Sequence, residues 1–220
     1  MNSGIYSKEF YQKHEKGAIL SAENILSFLY DYLKFDSIID FGCGIGCWIA
    51  VAKRLFNTKI LGIDFHNCTE LIIEKNDYIS ADLTKPLSVA CSFDLVLSLE
   101  VAEHIAEVNS SVFLDNICSA GNQILFSAAF PGQGGTGHVN EKSLSYWVKQ
   151  FLNRGYLALD VIRPHFWDCE DIDIWYRNNC ILFIKESIFH EISTLFIKAP
   201  TIIDIIHPKM LKRIMLKGVK

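Results

Sequence analysis

Apolar side chains along the chain repeat at two alternating periods. Over residues 7 to 33 the spacing is helical, with Ile25, Leu26, Phe28, Leu29, Tyr32 and Leu33 on one broad face; Gly17 divides the stretch into two predicted pieces, with Ser21 and Asn24 as candidate caps. Then come short, bounded, β-branched runs that read as strands: SIIDF (37–41), KILGIDF (59–65), DYISADL (77–83) and FDLVLSL (93–99). Residues 46 to 56 and 101 to 118 return to helical spacing. NQILFSAAF (122–130) predicts a fifth strand, PGQGGTGHVN (131–140) a glycine-rich loop, and 141 to 153 a helix. YLALDVI (156–162) and CILFIKE (180–186) complete seven strands, and the stretch between them has no clear helical period.

Strands alternating with helices predict an α/β fold, a doubly wound, mostly parallel sheet with helices on both faces. The unusual last connection predicts an antiparallel final strand. Residues 1–186 are expected to form the main domain, with 1–35 as an N-terminal helical cover, and 187–220 a C-terminal extension. The last twelve residues carry Lys209, Lys212, Arg213, Lys217 and Lys220 and no acid. They read as the solvated end of an amphipathic helix, with a partner or membrane-surface contact as the alternative.

Composition narrows the class. The chain has 220 residues, half of them hydrophobic and 21% charged, with a net charge of −4. That suits one globular domain and gives no reason to expect nucleic-acid binding. Seven cysteines without a C-x-x-C pair point to reduced thiols and a cytoplasmic location, not to a zinc or disulfide framework. No secretory h-region opens the chain and no apolar run is long enough to span a membrane. Oligomeric state is not legible.

The stretch IIDFGCGIGCWIA (38–50) raises the first chemical question. A strand, a glycine turn and a helix form a nucleotide-binding corner, and ligands bind at the carboxyl ends of strands in such sheets. No G-K-[ST] follows, which excludes a phosphate loop of the Walker type. Gly42, Gly44 and Gly46 miss the G-x-G-x-x-G register, and Asp40 would repel a pyrophosphate but pair with an ammonium group.

D-x-G-x-G-x-G after a first strand resembles motif I of the class I S-adenosylmethionine (SAM)-dependent methyltransferases. Three further landmarks follow in order: Asp64 in LGIDF, Asp82 in SADL, and FDLVLSLEVAEHI (93–105), similar to motif IV. The resemblance covers about residues 36 to 186 and implies a Rossmann-like fold. It also implies a cofactor site made by Asp40, Gly42, Cys43, Gly44, Gly46, Asp64, Phe65, Asp82, Leu83 and Glu100. Asp64 would hold the ribose hydroxyls, Asp82 the adenine amino group, and Leu83 would add a backbone donor and an apolar contact beside it.

Glu100, Glu103 and His104 open the predicted helix after the fourth strand, where spacings of three and four share a face, and His138 arrives from the loop after the fifth. Three readings stay open. His104 or His138 acts as a general base on a substrate hydroxyl. Alternatively the four residues hold a divalent metal: the string resembles the magnesium-binding segment of ubiquinone-pathway O-methyltransferases and, with the later His, the metal site of small-RNA 3′-terminal methyltransferases. Or the acids only offset a helix dipole, with His104 a capping or core residue.

The loop and helix at 130–147 resemble small methyltransferases encoded among bacterial surface-glycan genes, which implies a sugar or other small polar acceptor. Gln133, His138 and Asn140 are its hydrogen-bonding groups; Tyr146 and Trp147 are read either as a stacking wall or as core, and Asn140 also as a helix cap. HFWDCEDIDIWYRNNC (165–180) is expected to roof the site, with Trp167, Trp175 and Tyr176 inward and Asp168, Glu170, Asp171 and Asp173 wet, an acidic lid suited to a neutral or cationic acceptor. Tyr6, Tyr11 and His14 are candidate covers of the cofactor. The expected activity is methyl transfer from SAM to a hydroxyl, less readily an amine. A SAM-binding partner protein without turnover and a nicotinamide-dependent oxidoreductase are the alternatives, and an RNA methyltransferase is disfavoured by the negative charge.

Overall fold

The β-branched runs settle into one seven-stranded sheet whose active edge is set by strand direction. A computed structural model describes residues 8–65, 70–89, 92–189 and 203–217, with side chains from Glu15 to Leu216; Tyr6 and the side chains of Tyr11 and His14 lie outside the described residues. The strands are β1 (Ser37–Phe41), β2 (Lys59–Asp64), β3 (Tyr78–Ser80), β4 (Leu95–Leu99), β5 (Gln123–Ser127), β6 (Tyr156–Leu159) and β7 (Ile181–Lys185). Their spatial order is β3-β2-β1-β4-β5-β7-β6. The first five run parallel, whereas β7 lies antiparallel between β5 and β6, as the long last connection predicts.

Helices cover both faces. One apolar layer joins α1 (Lys8–Leu33) and α2 (Cys47–Phe56) to the sheet through Ile25, Leu29, Ile49 and Leu97. The other joins α3 (Ser110–Ala120) and α4 (Leu144–Leu152) through Phe113, Ile117, Trp147 and Phe151. Near-continuous apolar strands such as LVLSL, buried at all five positions, follow from this two-sided cover. Asp94 ties the far edge: its Oδ2 accepts from the amides of Asp36 and Ser37 and from the Ser37 hydroxyl.

Several local expectations need correction. Gly17 does not divide α1. It lies where a Cβ would collide with the Asp173 carboxylate, so its smallness serves close helix approach. Ser21 and Asn24 are not caps; their side chains donate to the Gly17 and Leu20 carbonyls inside the helix. The helix predicted over 101–118 breaks into two short 3-10 turns, Ala102–His104 and Glu107–Asn109, before α3 begins. Ser143, not Asn140, caps α4, accepting from the Tyr146 amide at 3.3 Å. Trp147 is fully buried against Phe126, so it is core and not a wall of the site.

The stretch before β7 forms two short helices, α5 (Ile162–Phe166) and α6 (Ile174–Asn179), and residues 203–217 end in α7 (Pro208–Lys217). Arg163 pins these together. It forks onto Asp160 at 2.9 and 2.6 Å and donates to the Ile203 carbonyl at 2.9 Å, with both charged groups almost entirely buried. Removing one partner of a buried pair leaves an uncompensated charge, so Arg163→Met is expected to destabilise the protein by about 3–5 kcal/mol in urea denaturation. Arg163→Lys keeps the charge without the fork and should recover only part of that loss.

Candidate active site

The carboxyl edge of the sheet opens into a cavity of about 480 Å³. At one end the turn after β1 needs left-handed backbone at Gly42, Gly44 and Gly46, with φ of 87, 57 and 94°. A side chain at Gly42 would also strike Val101. The acid ending β2 fastens this turn: Asp64 Oδ2 accepts from the Gly44 amide at 2.9 Å, and Oδ1 from the Phe65 amide at 2.7 Å. Asp82 forms a small turn of its own, accepting from the amide and hydroxyl of Thr84, which hold its carboxyl below the usual range. Asn116 on α3 holds the same loop by donating to the carbonyls of Leu83 and Lys85.

Asp40, Gly42, Cys43, Gly44, Asp64, Phe65, Asp82, Leu83 and Glu100 line the cavity together. Gly46 does not; it begins α2 and serves the turn. Burial, reinforced by the Asp64 charge, pushes the Asp40 carboxyl up to about 7. An acid so placed costs energy to ionise unless a cation arrives beside it.

The other end is built from the turns after β4 and β5. Glu100 adopts a left-handed φ of 55°, uncommon for a residue with a side chain. Its carboxylate accepts from Asn179 Nδ2 at 3.0 Å and Gln133 Nε2 at 2.9 Å; burial nonetheless raises its pKa. Because 102–104 is a 3-10 turn, the three residues do not share one α-helical face. The backbone instead turns Glu103 inward, fully buried, with neither side-chain oxygen in a hydrogen bond. Burial, then the nearby Glu100 charge, pushes the Glu103 carboxyl well above its ordinary value.

His138 is held by a residue the sequence reading missed. Glu141 Oε1 lies 2.8 Å from His138 Nδ1, and Glu141 also accepts from the amides of Gly132 and Gly134. Burial raises the Glu141 pKa, but these hydrogen bonds together outweigh it and the net shift is downward. A carboxylate on Nδ1 favours a proton on that nitrogen, so that in the neutral ring the lone pair lies on Nε2. Nε2 sits 4.0 Å from Glu103 Oε1 and directly against Gly135, where a Cβ would overlap it. His104 stacks edge-on to His138 at 4.9 Å and donates from Nδ1 towards the Gly137 carbonyl. Burial, then His138, lowers its pKa to about 4, so it is neutral at physiological pH. The sequence signal for Glu141 was its place three residues after His138 in a tight loop.

Glu103, His104 and His138 each offer a ligand atom within 4.8 Å of the others, so the residues present fit a divalent metal ion. Asn140 is not in the cavity; it bonds to Ser110.

The roof departs from the expected acidic lid. Asp173, Trp175 and Tyr176 do line the cavity, and Tyr176 accepts from Trp48 Nε1 at 3.3 Å. Asp168, Glu170 and Asp171 face away from it, and Asp173 is half-buried, not wet. Trp167 packs on His207 and also lies outside the cavity wall. Met210 and Arg213 of α7 complete the rim, with the Arg213 guanidinium 5.3 Å from the Trp175 ring.

Comparison with known proteins places this architecture. A search of curated protein sequences finds no match to the chain. Three solved structures share the fold. CalS10, an amino pentose methyltransferase from Micromonospora echinaspora solved with SAM bound, is 10% identical with a TM-score of 0.60, covering 84% of this chain and all of that one. The plantazolicin methyltransferase BpumL, solved with a pentazolic desmethylPZN analogue and S-adenosylhomocysteine (SAH), is 16% identical with a TM-score of 0.58, over 80% and 88% of the two chains. Magnesium protoporphyrin IX methyltransferase from Synechocystis PCC 6803 is 15% identical with a TM-score of 0.55, over 83% and 90%. A family model described as a methyltransferase domain matches residues 11–130, more than half of the sequence, from within α1 to just past β5. With its glycine turn and strand-end acids on that same span, the chain belongs to the methyltransferase-domain family.

Proposed function

We propose that the protein transfers a methyl group from SAM to a hydroxyl of a small polar acceptor, with His138 as the general base. The observation that carries this reading is the His138–Glu141 pair on the cavity wall, which orients the ring through Nδ1 and leaves Nε2 for an acceptor. SAM, when bound by these residues, would supply an electrophilic sulfonium methyl for in-line attack, with SAH as the leaving group.

The chain's own groups divide the work. Asp40, ionised, pairs with the amino group of the cofactor; Asp64 and Asp82 take the ribose and the adenine, with Gly42 to Gly46 allowing close backbone approach. Glu100, tied to Asn179 and Gln133, closes the floor between cofactor and acceptor. His138 Nε2 accepts the hydroxyl proton as the oxygen attacks the methyl carbon, and Glu141 stabilises the imidazolium that forms. Neutral His104, with Nδ1 engaged, presents its other nitrogen to orient the acceptor. A sugar or surface-glycan precursor fits this polar wall, and one neighbour is described as acting on an amino pentose.

A second reading rests on Glu103. A buried carboxylate with no hydrogen bond, beside two imidazoles, suits a divalent ion that would orient an acceptor diol and lower a hydroxyl pKa. If it holds, chelation with EDTA abolishes turnover and magnesium or manganese restores it, while SAH binding is unchanged by either. Turnover insensitive to chelation overturns it.

Two measurements test the main reading. SAH at a hundredfold excess over its dissociation constant should stabilise the protein by about 2.7 kcal/mol, and NADH should not. His138→Gln should keep that stabilisation while lowering methyl transfer to a responsive acceptor by about 10²–10⁴-fold. The second uses pH. With Asp40 titrating at about 7 in the free protein, SAH affinity is full above that pH. It falls by up to about tenfold per pH unit below it, because a proton must leave before the ammonium binds. Asp40→Asn should bind weakly and show no such slope; a wild-type affinity flat from pH 5 to 8 would remove Asp40 from the site.

A further inference from the structure

Helix α7 faces two ways. Its inner side is fastened to the roof: Met210 is buried, the His207 amide donates to Asn178 Oδ1 at 2.6 Å, and His207 Nε2 donates to the Trp167 carbonyl at 2.8 Å. Its outer side is apolar and wet. Leu211 is 47% exposed, Met215 64% and Leu216 65%, and Ile205 and Ile206 just before the helix are 44% and 42% exposed. At 100° per residue Leu211, Met215, Lys212 and Leu216 follow one another around the outward arc, with Lys209 beside them. Five of the thirteen large exposed apolar side chains among the described residues fall in these twelve positions, which makes this a patch and not scattered exposure.

The charge on the patch selects its occupant. From Ile205 to Lys217 there are four lysines or arginines and no acid, against a net charge of −4 for the whole chain. The projecting side chains are flexible Leu and Met interleaved with Lys, on a convex helix and not in a groove. Alkyl groups that can enter an acyl boundary, ringed by ammonium groups that can meet phosphate, form the pattern of a helix lying in a bilayer interface. We propose that α7 docks the protein onto an anionic membrane surface, Leu211, Met215 and Leu216 entering the interface, Lys212 meeting the headgroups, and Lys209 exchanging its exposed ion pair with Glu170 for them. This is peripheral attachment, since no described helix is long and apolar enough to cross a membrane. Because Met210 and Arg213 of the same helix stand on the cavity rim, docking holds the mouth of the cavity near the bilayer.

The test is co-sedimentation of the full chain with vesicles of phosphatidylcholine alone and of phosphatidylcholine with phosphatidylglycerol. Binding to the anionic vesicles only is expected, with loss in about 1 M salt, where the Debye length is about 3 Å. The L211S/M215S/L216S variant should lose binding, and K209Q/K212Q should weaken it about tenfold or more. These side chains are exposed, so unfolding temperature and SAH binding should not change, which separates this proposal from the one on activity. No binding to anionic vesicles at low salt overturns it, as does equal binding by the triple variant. A concentration-dependent dimer that the triple variant abolishes, without vesicle binding, also overturns it and makes the face a contact between two copies.

Discussion

The histidine-lined end of the cavity depends on a single carbonyl. The Glu103 backbone oxygen accepts from the amides of both Val139 and Asn140, at 2.8 and 3.0 Å, and so joins the turn after β4 to the loop after β5. Those segments come from neighbouring parallel strands and have no ladder between them beyond the sheet edge. With this joint in place, Gly137 reaches His104, Glu141 reaches His138, and Gly135 lies flat against the His138 ring. A glycine-rich loop would otherwise sample many conformations, and its ordering is entropically costly. Two backbone bonds to one oxygen, plus the three that Glu141 accepts, offset that cost locally.

Carboxylates are the second organising feature. Asp40, Glu100 and Glu103 are all withdrawn from water at the strand ends, and each is resolved differently. Glu100 is satisfied by two amide side chains, Asp40 stands near its titration point, and Glu103 makes no side-chain hydrogen bond. A purely structural core would not retain three such groups, since burying a polar group without a bond is costly. Their clustering at one edge marks where the fold gives up stability for chemistry.

The sheet was largely legible because strand signals are local: β-branched runs, bounded by turns, with an acid at the end. The glycine turn was legible for the same reason, since φ above zero restricts residue type. What was not legible is non-local. Glu100 is bonded to Asn179 across 79 positions, and no period or spacing announces such a pair. Trp147 reads equally as wall or core until α4 is placed against β5. The helix expected from Val101 fails because Glu100 and the 3-10 turn redirect the chain, a tertiary demand that overrides good helical spacing. The acids of the roof read as a lid facing the substrate, yet Glu170 turns outward to Lys209.

The reversed strand β7 has a consequence for how the cavity is walled. In a wholly parallel sheet, every segment that precedes a strand lies at the edge remote from ligand. Reversal brings the segment before β7 to the active edge, with Ile181 beside Phe126 and Asn179 two residues before Ile181. A second stretch of chain, late in sequence and outside the matched family span, thereby becomes a wall of the cavity. It is fastened to both ends of the site, by Tyr176 to Trp48 of α2 and by Asn179 to Glu100 after β4. The cavity is thus walled both by the turns that follow parallel strands and by a segment that precedes a reversed one.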